Sequence, residues 1–156
     1  METINVNYQL NKEDLIKIFD IALEGIDYWG SISDRKPNDN EKNLYDMKRS
    51  DEAESEKNAE APPICCFPNE NTCAELLFSG KPIYVLELEE DGDFTIIETH
   101  ELNVEKLAKG FASFIKRSIE QPRGRQEIYS FEFDYGNPEV GDWIVQQAIF
   151  NEMKYC

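Results

Sequence analysis

Apolar positions along this chain recur with two different periods. Residues 2–9 alternate, with Ile4, Val6 and Tyr8 set against Thr3, Asn5 and Asn7, which is the period of a half-buried strand. The spacing then lengthens. Leu15, Ile18, Phe19, Ala22 and Leu23 mark one face of a helix over 12–24. Asn11 is placed to cap it, Glu13 and Asp14 fall in its first turn, and Gly25 is placed to end it. Asn71 or Thr72 predicts the cap of a short helix through Phe78, closed by Gly80. Apolar runs at 82–89 and 94–100 flank a turn containing Asp91 and Gly92, the signal of a β-hairpin. Asn103 caps the next helix, whose Val104, Leu107, Ala108, Phe111, Phe114, Ile115 and Ile119 make a clean apolar face. Residues 127–133 alternate again and predict another strand.

The last segment, 138–156, organises the rest. Asn137 caps it and Pro138 suits a first helical position, where no backbone N–H is needed. Val140, Trp143, Ile144 and Ala148 follow helical spacing, while Val145, Ile149 and Met153 occupy another side. Only a narrow seam of Glu139, Asp142 and Gln146 is clearly polar. A helix apolar over most of its circumference must be buried on several sides. It is therefore expected at the centre, with Gln146 and Gln147 satisfied by backbone. Just after the first helix, Tyr28 and Trp29 stand between two glycines. They either lock that helix end against the core or anchor a partner.

Residues 33–62 break the pattern. They hold nine acids, six bases and few apolar residues, and so predict a flexible polar loop with at most a short helix around 44–47. The expectation is one α+β domain over 1–156. It would have a small, mostly antiparallel sheet of about four strands, with three main helices packed on one face.

Charge narrows the function. A net charge of −16 repels nucleic acid and anionic membrane and favours basic partners. No long apolar run predicts a membrane span, and the N-terminus lacks the basic and apolar regions of a secretory signal. A cytoplasmic protein with reduced cysteines is expected. Residues 82–105 carry eight acids and no Lys or Arg. Residues 106–125 carry six bases and one acid, and 126–153 six acids and no base. Alternate carboxylates on a strand lie about 6.6–6.8 Å apart on one face, and one nucleic-acid strand carries a charge per roughly 3.4 Å. An acidic hairpin could thus occupy a Lys/Arg-lined groove in place of phosphates. Candidate partner-binding residues are Glu87, Glu89, Glu90, Asp91 and Asp93, with Glu132 and Asp134. The basic stripe over 106–125 leaves open a dimer closed against the acidic surface of a second copy.

Catalytic equipment is sparse. His100 is the one histidine, and neither a nucleophile elbow nor a Gly-rich phosphate loop occurs. No enzyme and no cofactor are expected. Cys65, Cys66 and Cys73 could join His100 or Cys156 around a metal, but adjacent cysteines followed by a six-residue gap are not zinc-finger spacing. Free thiols are the expected state.

Three stretches carry a family resemblance. Leu23-Glu24-Gly25-Ile26-Asp27-Tyr28-Trp29 resembles an LEGGxxYW motif, and residues 101–110 resemble xLTxEKxxxG. Residues 141–152, GDWIVQQAIFNE, resemble ADxIVQxALFGE. In this order the chain is similar to small proteins of bacteriophages and conjugative elements, some of which inhibit CRISPR nucleases. It departs at Ile26 and Asn151, where the motifs have glycine. The resemblance implies an anti-CRISPR protein that blocks a nuclease effector's nucleic-acid groove in a host bacterial cell. The alternatives are an acidic module for a basic restriction or recombination factor, and a small metal-binding protein.

Overall fold

The side chain of Asn11 accepts a hydrogen bond from the Asp14 backbone N–H at 2.8 Å, and Asp14 accepts from the Asn11 N–H at 3.0 Å. This reciprocal cap starts α1, Lys12–Gly25. A computed structural model of the chain describes residues 9–57, 60, 66–90, 92–120 and 137–156. After α1 come β1 (Gly30–Ser33), α2 (Leu44–Lys57), α3 (Glu70–Phe78), β2 (Ile83–Leu88), β3 (Ile96–Leu102), α4 (Val104–Glu120) and α5 (Pro138–Phe150). Asn103 caps α4 through the Lys106 N–H at 2.8 Å, and Asn137 caps α5 through the Glu139 N–H at 3.1 Å. The α3 cap is Asn69, ahead of the expected Asn71 or Thr72.

The architecture is α+β. The described sheet has three strands in the order β1-β2-β3, antiparallel throughout. Gly30 lies opposite Glu87 in the first pair, and Glu87 opposite Glu98 in the second. The hairpin expected around residues 89–93 is the β2–β3 pair. The strands expected over 2–9 (all but Gln9) and 127–133 lie outside the described residues.

Helices were expected on one face of the sheet, but the structure covers both. Ile32, Ile83, Val85 and Leu102 join buried residues of α1, α3, α4 and α5 in the main core. On the other face, Leu86 and Leu88 pack with Met47 of α2 and Cys66, flanked by Tyr84, Ile96, Leu44 and Phe67.

The loop reading of 33–62 is corrected by α2. This helix brings little apolar surface, but Met47 is fully buried and ion pairs hold the segment down. Arg35 donates to both oxygens of Glu41 at 2.7 and 2.8 Å and to Asp51 at 3.1 Å. Asp51 also accepts from the Cys66 N–H at 3.0 Å. A bidentate guanidinium pair of this kind is directional as well as strong. Docking here runs through buried charge, which hydrophobic periodicity does not register.

The last helix is central, as its composition implied. α5 packs against both α1 and α4, and three glycines allow the approach. A Cβ at Gly25 would meet the Pro138 carbonyl oxygen at 2.1 Å. One at Gly141 would meet the Ala22 nitrogen at 2.5 Å, and one at Gly110 the Ile144 carbonyl oxygen at 2.3 Å. Gly25 is thus a contact residue still inside α1; the expected role of helix terminator is not its role here. α5 itself ends at Asn151, whose φ of 57° is left-handed. Asparagine tolerates that region better than most residues, so it can stand where the motif has glycine. Among the described residues, no helix is long and apolar enough to cross a membrane.

Candidate functional site

The polar seam of α5 faces inward. Asp142 is 7% exposed and Gln146 fully buried. The Trp29 indole N–H donates to Asp142 at 2.7 Å and the Tyr28 hydroxyl donates to its other oxygen at 2.7 Å. Gln146 donates to Asp142 at 2.8 Å and to the Tyr155 carbonyl at 3.1 Å, and accepts from the Tyr155 N–H at 2.8 Å. The expected backbone satisfaction of Gln146 is therefore met by the C-terminal tail. Burial and then the hydrogen bond to Asp142 raise the Tyr28 pKa well above the ordinary phenol value, so its proton stays on as donor.

That tail crosses back over the sheet. Tyr155 stacks on Trp29 with centroids 5.0 Å apart and planes 6° from parallel. Its hydroxyl and the Lys154 ammonium both donate to one oxygen of Glu87. His100 Nε2 lies 2.9 Å from the other. Glu87 is 1% exposed. Burial pushes its carboxyl up, but the hydrogen bonds from Lys154, Tyr155 and His100 outweigh this and hold it at about 2. Glu87 therefore does not belong to an acidic partner surface: β2 is the middle strand, and this side chain points under the tail.

Glu87, Glu98 and His100 bring donor atoms within 4.8 Å of one another. The Glu87 charge is already matched by Lys154, and both Glu87 oxygens are occupied by donors. A metal would have to displace that ammonium. Among the described residues the cysteines are not gathered. Cys66 and Cys73 are buried in separate clusters, where burial pushes each thiol up to about 12. Cys156 is exposed, and Cys65 lies outside the described residues.

The other hairpin carboxylates face water. Glu89, Glu90 and Asp93 on the turn are exposed, as are Glu98 and Glu101 on β3. Asp91, Glu132 and Asp134 lie outside the described residues. Between the Glu87–Glu98 and Leu88–Ile96 pairs the register shifts, because β3 spends one extra residue, Ile97. Such a bulge re-aims a side chain. Ile97 is 54% exposed and lines an open groove of about 450 Å³. Tyr28, Trp29, Leu88 and Tyr155 make the rest of its apolar wall, and Glu89 and Glu90 stand in its lining.

The structure thus divides the expected anchor pair. Trp29 is 2% exposed and belongs to the core, because its indole N–H needs Asp142. Tyr28 is 40% exposed and opens on the groove. The sequence pattern gives no sign that Ile97 and Leu88 meet in this groove. An alternating strand assigns them to opposite faces, and nothing local marks the bulge. No protein-family model matches this chain, and no curated protein or solved structure matches it either.

Proposed function

We propose that this chain is a non-enzymatic binding protein that presents the β2–β3 hairpin to a basic partner. The carrying observation is a set of five exposed carboxylates, Glu89, Glu90, Asp93, Glu98 and Glu101, in a stretch without Lys or Arg from 82 to 105. Their neighbour Glu87 is excluded from the surface because Lys154 and Tyr155 hold it.

The partner we propose is a CRISPR effector nuclease whose Lys/Arg-lined nucleic-acid groove the hairpin blocks, as the resemblance of the three motifs implies. Those motifs supply helix contacts through Gly25, Gly110 and Gly141 and the joint of Tyr28 and Trp29 with Asp142. They build the framework, which leaves recognition to the hairpin.

The test is capture of a Cas9-type effector at rising salt, with wild type and with Glu89, Glu90, Asp93 and Glu98 all changed to Lys. Capture that falls with salt and is lost on charge reversal supports the reading, since exposed charges are screened over about 8–10 Å. Capture that ignores salt or survives reversal overturns it.

A further inference from the structure

We infer that the groove beside the hairpin is an anchor site for one arginine side chain of the protein partner. The inference rests on the hairpin being a partner-binding surface, and it adds the chemistry that surface selects. Ile97 and Tyr28 are large apolar side chains left 54% and 40% exposed, and both line one depression with Leu88 and Tyr155. Covering such surface with an apolar stem is favourable. At about 450 Å³ the depression sits at the low end of ligand sites, roughly 300–1,000 Å³. It suits one long side chain and the backbone that carries it.

Its lining is two-natured, and this selects the occupant. Glu89 and Glu90 share the groove with apolar and aromatic walls. An anion would be repelled. A wholly apolar anchor would strip water from two carboxylates without replacing it. A basic side chain with a long stem meets both demands, laying its methylenes on Ile97 and Leu88 and its charge on the carboxylates. Arginine fits better than lysine. Its planar guanidinium stacks on an aromatic face such as that of Tyr28 and pairs with carboxylates through two N–H groups, which an ammonium cannot do. The extra residue in β3 is the device that puts Ile97 there.

The experiment titrates the ¹⁵N-labelled full chain with the peptide acetyl-Ala-Leu-Arg-Leu-Ala-amide. Versions with lysine or uncharged citrulline at the centre serve as controls. The expected amide shifts gather at residues 28–29, 88–90 and 97, and citrulline weakens binding about tenfold, the equivalent of roughly 1.4 kcal/mol. Lysine binds more weakly than arginine. Ile97→Ser and the pair Glu89→Gln/Glu90→Gln each weaken the arginine peptide about fivefold or more without lowering the melting temperature, as both sites are exposed. Shifts spread evenly over all acidic stretches, equal binding of arginine and lysine peptides, or indifference to Ile97→Ser would each overturn the inference.

Effector capture separates this idea from the one beneath it. If hairpin charge reversal abolishes capture while Ile97→Ser leaves it intact, the groove is not the anchor and the hairpin reading stands. If the peptide docks in the groove while capture survives charge reversal, the hairpin reading falls and the groove remains an arginine site.

Discussion

Asp142 accepts hydrogen bonds from Tyr28, Trp29 and Gln146, so its replacement reads out the joint between two distant stretches of chain. Asp142→Ala leaves the buried Trp29 N–H without its acceptor and is expected to destabilise by about 2–3 kcal/mol. Asp142→Asn keeps one oxygen for Trp29 and Gln146 and turns an amide N–H toward the Tyr28 hydroxyl, so it should cost only about 1 kcal/mol. Urea melts with unchanged m-values would measure both. Glu87 and Glu41 make an acid-side prediction. Hydrogen bonds from Arg35 are the largest influence on Glu41 and hold it at about 2 against burial. Glu87 is held at about 2 as well, its donors overcoming the effect of burial. Both carboxyls are depressed from an ordinary 4.5. Their stabilisation is therefore complete above about 4.5 and is lost as pH falls toward 2. Stability measured from pH 6 to 2 should drop in that window, and Glu87→Gln with Glu41→Gln should flatten the drop. Glu87→Gln should leave partner capture unchanged, since the side chain is buried.

At the scale of elements, the three helix contacts depend on missing side chains. Gly25→Ala, Gly110→Ala and Gly141→Ala each drive a Cβ to within 2.1–2.5 Å of a neighbouring helix's backbone, where nothing flexible can yield. Each is expected to destabilise by at least about 2 kcal/mol. Gly80 provides the contrast, with open space around its Cβ position but a φ of +85°. Gly80→Ala should cost about 1 kcal/mol through backbone strain alone. A thermal melt of the four variants checks the order.

For the whole molecule, the net charge of −16 acts on folding and binding with opposite sign. Mutual repulsion disfavours the compact state, while attraction to the basic partner we propose would favour that complex. Salt screens both. Raising NaCl from 20 to about 300 mM should raise the melting temperature by a few degrees, at about 2–4 °C per kcal/mol for a chain of this size. The same change should weaken the complex. Scanning calorimetry and effector capture over one salt series would show the two slopes diverging.

Much of this was legible in local pattern. The caps at Asn11, Asn103 and Asn137, the periods of α1, α4 and α5, and the β2–β3 hairpin all follow from interactions within a few residues, and those are written directly in residue order. The central place of α5 was legible too, because a helix apolar on most sides has nowhere else to go. What the chain order could not specify was the direction of its polar groups. Asp142 and Gln146 read only as a narrow polar seam, with Gln146 expected on backbone, and turn out to be the joint that holds Tyr28, Trp29 and the Tyr155 backbone. Glu87 reads as one of a row of surface acids and is held beneath the tail by Lys154 and Tyr155. α2 reads as loop and is docked by Arg35. In each case the partner lies elsewhere in the chain, 6 or 16 residues away for Arg35 and more than 60 for Glu87 and Asp142. Burial of a charge depends on where that partner arrives, and only the assembled fold settles it.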